Sequence, residues 1–191
     1  VLQRYTHVAI VLHWVIAALI VSNVALAFTW PNLADAQVRP AIDLHKSIGI
    51  TILGLALLRI LWRIGHRPPP LPQGYARWEV GASHIVHWGL YLILFAMPLS
   101  GWIMDSAYKD AASHPMFLYG LFQWPRLGFI MALDPATKKA VHDGFGAAHE
   151  TIAYAIYALV ALHLAGAIKH QWLDRSQELQ RMWFGRDRGL R

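Results

Sequence analysis

Residues 146–168 read GAAHETIAYAIYALVALHLAGAI, an apolar run that carries two histidines, His149 and His163. A bilayer core of about 30 Å is crossed by about 20 helical residues, so the run is long enough to span. The two histidines are 14 positions apart. On an α-helix that is about 21 Å of rise, and 14 steps of about 100° bring the second side chain to within about 40° of the first. Both imidazoles therefore share one face, at two depths. An ionisable side chain in hydrocarbon is costly and marks a functional site by default, so the remaining chain is searched for partners at those depths.

Three further apolar runs accompany it: 8–29, closed by Trp30-Pro31; 41–64, with His45 and Lys46 near its start and Arg59 and Arg63 near its end; and 83–105, with His84 and His87 at its start and Pro98 and Gly101 towards its end. The first run contains Ala25-Leu26-Ala27, which a signal peptidase site resembles. It is longer than the usual h-region and is interrupted by His13-Trp14, so it reads as a retained span. A Pro-rich basic connector, 66–77, separates the second and third runs. Residues 116–133 are apolar but broken by Gly120, Pro125, Arg126 and Gly128, and carry Tyr119 and Trp124. They read as a segment lying along the interface, followed by the 146–168 span and an amphipathic tail, 169–191. The fold class expected is an all-α membrane protein, a four-helix antiparallel bundle in one domain.

Composition agrees. The 191 residues are 56% hydrophobic and 15% charged, against about 25% charged in ordinary soluble domains. The absence of cysteine removes disulfides, iron–sulfur clusters, thiolate zinc sites and covalent c-type haem attachment. The net charge of +6 lies beside the apolar runs, which fits membrane topology and not nucleic-acid binding. With four spans, the face holding both termini and the 66–82 connector carries eleven of the seventeen Lys and Arg, the other face six. By the positive-inside rule both termini are expected in the cytoplasm.

In that topology His13 on the first helix and His163 on the fourth lie at one depth near the cytoplasmic side. His45 on the second and His149 on the fourth lie at one depth near the outer side. Antiparallel bundles build cofactor sites from such facing side chains, and two axial imidazoles on one haem iron suit electron transfer. His84 and His87 stay open as a substitute ligand on the cytoplasmic side, a propionate contact or part of a quinone pocket. Arg59 and Arg63 are snorkelling anchors or propionate partners, as is Lys46 on the outer side. Membrane histidines that only bridge helices, or a haem-free ion or proton carrier, are the competing readings. The latter is disfavoured because Asp43, Asp105 and Glu150 all sit near span ends.

The fragments RYTHVAIVLHW, DLHKSIGITILGLALLRILWR, ASHIVHWGLYLILFAMPLSGWIM and AAHETIAYAIYALVALH, in this order, resemble the bacterial cytochrome b561 family, related to the cytochrome b subunits of nickel hydrogenases and formate dehydrogenases. The resemblance implies two non-covalent haem b groups, one held by His13 with His163 and one by His45 with His149, their irons about 20 Å apart along the bundle. It implies electron transfer across the bacterial inner membrane between the ubiquinone pool and a periplasmic small molecule or redox partner. Superoxide oxidation coupled to ubiquinone reduction is the activity to test. An outer rim of Lys46, Arg126, Lys138 and Lys139 would attract such an anion. The alternative role is the haem-bearing membrane anchor of a larger oxidoreductase. A homodimer is left open.

Overall fold

The computed structural model describes residues 3–71 and 74–184. Four long helices dominate: α1 (His7–Thr29), α2 (Asp35–Gly65), α3 (Arg77–Ser106) and α5 (Pro135–Ile168). Between α3 and α5 lie two short strands, β1 (Phe117–Leu118) and β2 (Phe122–Gln123), and one helical turn, α4 (Gly128–Met131). After α5 come a π-helical turn (Lys169–Leu173) and a short α6 (Glu178–Arg181). All four long helices are long and apolar enough to cross a membrane. The protein is a four-helix membrane bundle, with the termini and the α2–α3 connector at one end, the terminus end, and the 107–134 loop at the other, the loop end.

The helices outrun the apolar stretches that mark them in the sequence. α2 begins at Asp35 and contains Pro40. Pro40 forfeits the bond its N–H would have made to the Ala36 carbonyl and crowds that carbonyl, yet the helix continues through it. α5 begins at Pro135, where the Asp134 carboxylate accepts from the N–H groups of Ala136 (3.0 Å) and Thr137 (3.1 Å). A side-chain N-cap followed by proline at the first helical position is a strong start signal. It launches the helix eleven residues before the apolar run.

Segment 116–133 has local structure of its own. It forms an antiparallel hairpin with Phe117 opposite Gln123 and Leu118 opposite Phe122, followed by α4. The turn places Tyr119 at φ 50° and Gly120 at φ 72°. Two successive positive-φ residues give the backbone twist that tight hairpins favour.

Packing runs α1 on α2, α2 on α3 and α3 on α5. Ile16, Ile48 and Ile52 form the buried contact between α1 and α2, with Leu19, Ile20, Leu26, Leu55 and Leu94 against them. α5 sits close on α3: a Cβ on Gly89 would lie 3.0 Å from Leu159 Cδ1, inside normal contact. Small residues that let backbones approach are how membrane helices pack. No residue of α5 is buried. Its principal backbone neighbour is α3, and it faces α1 and α2 across a slot.

Each end is tied by one arginine. At the terminus end Arg181 is 3% exposed. It donates to the carbonyls of Pro69 (3.0 Å), Pro70 (2.7 Å) and Gln3 (3.3 Å) and pairs with Glu178 (3.0 Å). Glu178 also accepts from the Tyr75 hydroxyl at 2.6 Å; burial, with that carboxylate, pushes the Tyr75 phenol up to about 12. The tail 169–184 thus folds back on the bundle, and residues 185–191 of the expected amphipathic tail lie outside the described residues. At the loop end Asp105 receives Lys46 Nζ at 2.6 Å and Arg126 Nε at 2.8 Å. Arg126 also donates to the carbonyls of Ala111 and, at 2.7 Å, His114. One buried carboxylate with two cations pins the 107–134 loop to α2 and α3.

Candidate functional site

Two histidine pairs bridge the slot in front of α5. His13 on α1 faces His163 on α5 with ring centroids 6.1 Å apart and planes at 68°. His45 on α2 faces His149 on α5 at 6.2 Å and 69°. The near-identity of the two geometries follows from α5 presenting both of its histidines on one face. Metal–imidazole bonds of about 2 Å and ring radii of about 1 Å place two imidazoles on opposite sides of one metal ion about 6 Å apart, centroid to centroid. Both pairs have that separation.

The loop-end pair is oriented by backbone. His45 Nδ1 lies 3.2 Å from the Asn23 carbonyl on α1, and His149 Nδ1 lies 3.1 Å from the Met97 carbonyl and 3.0 Å from Ser100 Oγ on α3. A carbonyl only accepts, so in both rings Nδ1 carries the proton and Nε2 keeps its lone pair. This is how metal-binding histidines are ordinarily fixed. Gly101 supplies the space: a Cβ there would meet His149 Cε1 at 3.1 Å and Nδ1 at 3.4 Å. The His149 ring therefore rests directly on the α3 backbone. The indole of Trp30 lies edge-on to His45, at 5.0 Å.

The terminus-end group is larger. His87 on α3 lies 5.4 Å from His163, centroid to centroid, and Arg59 Nη1 lies 3.1 Å from His13 Nδ1. Arg59 Nε also donates to the Tyr91 hydroxyl at 3.3 Å, and the Arg59 and Arg63 guanidinium groups both lie 5.5 Å from the Tyr91 ring centroid. Two arginines, three histidines and a tyrosine thus gather at one level of the bundle. The Trp14 indole, 5.2 Å from His13, donates to the Met182 carbonyl at 2.7 Å, so the folded-back tail reaches this group.

Of the residues singled out in the sequence, His13, His45, His87, His149, His163 and Arg59 converge on these two levels. Arg63 joins through Tyr91 and lies 6.0 Å from the Trp88 ring. Lys46 is committed to Asp105, and His84 is exposed one turn before His87. The basic rim is largely neutralised: Lys46 and Arg126 share Asp105, and Lys139 pairs with Asp143. Sequence reasoning did not single out Asn23, Met97 and Ser100 as partners of the ligand-type histidines. Backbone carbonyls leave no trace in residue identity; a serine-glycine pair just after Pro98 was the only visible hint.

A multi-pass bundle in which one helix presents histidines to two others at two depths is the architecture of a membrane b-type cytochrome. The prokaryotic cytochrome b561 family matches residues 4–185, and the chain belongs to that family, one of haem-bearing membrane proteins of electron transport. It is 32% identical to cytochrome b561 homolog 2 of Escherichia coli (strain K12), over 94% of this chain and 91% of that protein. It is 27% identical to the probable superoxide oxidase CybB of Yersinia pestis, over 94% and 96%, and 23% identical to cytochrome b561 homolog 1 of Escherichia coli (strain K12), over 95% and 97%.

Proposed function

We propose that the chain is a di-haem electron carrier that moves electrons between the two faces of the inner membrane, with His13 and His163 holding one haem b and His45 and His149 the other. The two matched ring separations, 6.1 and 6.2 Å, carry this reading. The 5.4 Å from His87 to His163 is short for two imidazoles about one metal ion, which favours His13 as the partner and leaves His87 beside the site. When bound, haem would supply a one-electron iron couple, and two imidazoles, one from each helix of a pair, would hold it for passing electrons.

The chain's own residues set the conditions. At the loop end the Asn23 and Met97 carbonyls hold both ligands in the Nε2-presenting tautomer. At the terminus end Arg59 donates to His13 Nδ1, so His13 would present Nε2 to a metal only once Arg59 turns to another partner, and a haem carboxylate is the stronger one for the guanidinium. Arg59 and Arg63 are thus the residues suited to a propionate there. Exchange with ubiquinone at one face and with a small oxidant or reductant such as superoxide at the other is the activity proposed, in keeping with the name of the Yersinia pestis relative. The purified chain is expected to contain two haem b per polypeptide by pyridine haemochrome and to reduce a water-soluble ubiquinone on addition of superoxide. One haem per chain would overturn the pairing.

The cradle of His149 gives a finer test. Gly101→Ala puts a methyl group 3.1 Å from the ring and should displace it. Ser100→Ala, which removes one of the polar neighbours of Nδ1, should weaken loop-end haem binding by about 10-fold, the low end of such partner losses. Redox titration should show one haem shifted or depleted in each variant and the other at its wild-type potential.

A further inference from the structure

The hairpin 117–123 is held at an unexpected depth. The hydroxyl of Ser47 on α2, which donates to the Asp43 carbonyl at 2.8 Å, accepts from the Tyr119 N–H (3.0 Å) and lies 3.3 Å from the Phe117 carbonyl, and the Tyr119 hydroxyl meets Thr51 Oγ1 at 2.8 Å. Ser47 and Thr51 lie within the uncharged stretch of α2 that separates Lys46 from Arg59. At 1.5 Å per residue Thr51 is about 7 Å further into the bundle than Lys46 and about 9 Å further than His45. On the α3 side, Trp102 Nε1 donates to the Pro125 carbonyl at 2.9 Å, one residue from the glycine under His149. The Tyr119 backbone therefore meets α2 at Ser47, two residues inside His45, and the Tyr119 side chain runs on from there to Thr51, towards the middle of the bundle.

We infer that this hairpin is a re-entrant element immersed in the hydrocarbon of the leaflet at the loop end, and that its tip is a contact surface for lipid acyl chains. Its composition suits that solvent. Residues 116–124, MFLYGLFQW, contain no charge, whereas residues 109–114, KDAASH, in the same loop are polar. Leu121 is 81% exposed, Phe122 52% and Phe117 43%. Apolar groups so open in an aqueous loop mark an interaction surface, and on α2 Leu57, Leu58 and Leu61 are likewise about half exposed.

Non-helical backbone survives at membrane depth only where its polar groups are satisfied. The Leu121 N–H reaches the Leu118 carbonyl (3.0 Å), the Trp124 N–H reaches the Met116 carbonyl (2.8 Å), and the Tyr119 N–H reaches Ser47 Oγ (3.0 Å). The positive φ of Tyr119, uncommon for a residue with a side chain, is held by the bonds of its N–H and hydroxyl to α2. Trp102 and Trp124, 5.7 Å apart and of a residue type favoured at headgroup level, flank the base of the hairpin.

The absence of cysteine makes the test direct. Single cysteines Leu121→Cys and Phe122→Cys are placed in the full chain in proteoliposomes, with Ser113→Cys as the aqueous reference and Leu57→Cys as the hydrocarbon reference. Reaction with a sulfonated maleimide, which needs a thiolate, reports water; crosslinking to a phospholipid with a photoactivatable acyl chain reports hydrocarbon. The two hairpin cysteines should react at least several-fold more slowly than Ser113→Cys, close to Leu57→Cys, and the 117–123 peptide should carry lipid crosslinks. Labelling as fast as at Ser113→Cys, or slow labelling without lipid crosslinks, would overturn the inference.

Discussion

His149→Ala is expected to purify with one haem b per chain instead of two, and His45→Ala should lose the same one. His13→Ala and His163→Ala should each lose the other. On the proposed pairing the effect is large because the loop end offers no third histidine: His45 and His149 face each other alone there, 6.2 Å apart, among the described residues. At the terminus end His87 stands 5.4 Å from His163, so His13→Ala has a neighbour that can be recruited, and its haem loss should be the less complete of the two ends. Haem content by pyridine haemochrome, read beside the low-spin ferric signals of the remaining haem, separates the cases. Equal loss of both haems in every variant would mean that the centres do not fold independently. Loss in His87→Ala matching that in His13→Ala would transfer the ligand role.

Asp105→Ala should be the most destabilising change outside the histidines. The Asp105 side chain is 6% exposed and the Arg126 side chain 4%, and the carboxylate is the shared counter-ion of Arg126 and Lys46. Removing one partner of a buried ion pair leaves a charge uncompensated and costs about 3–5 kcal/mol. The loss should appear as a lower thermal midpoint in detergent and as proteolytic cleavage within 107–134, since this cluster holds the loop to the helices. Asp143→Ala, which breaks an exposed pair with Lys139 in the same region, should leave the midpoint nearly unchanged. If the two variants melt alike, the buried cluster is not what secures the loop.

The bundle and both histidine levels were legible because helix periodicity converts spacing into geometry. Fourteen positions in an uninterrupted apolar run fix two rings on one face, and counting from span ends matches His13 and His45 to their depths. Where the backbone leaves the helix that conversion fails. Asp105 and Arg126 are separated by a hairpin, and nothing in their spacing announces a 2.8 Å contact. The stretch around Tyr119-Gly120 reads as interfacial by composition because two-residue strands are too short to show alternation. His87 lay between roles in the sequence, and only the three-dimensional placement distinguishes 5.4 Å from 6.1 Å. Helix lengths were understated for a related reason: hydropathy records where the membrane is, whereas Asp134 and Pro135 record where the helix begins.

That one helix, α5, supplies a histidine to each pair has a consequence for how the chain can change. Inserting or deleting a single residue between positions 149 and 163 would turn the second histidine by about 100° and slide it by about 1.5 Å relative to the first, so one pair could be kept only by forfeiting the other. A seven-residue block, close to two full turns, would restore the facing but move the two levels about 10 Å apart or together, out of step with α1 and α2. The α5 segment is thus locked in length as well as in identity, because both histidine levels are read off the same helix.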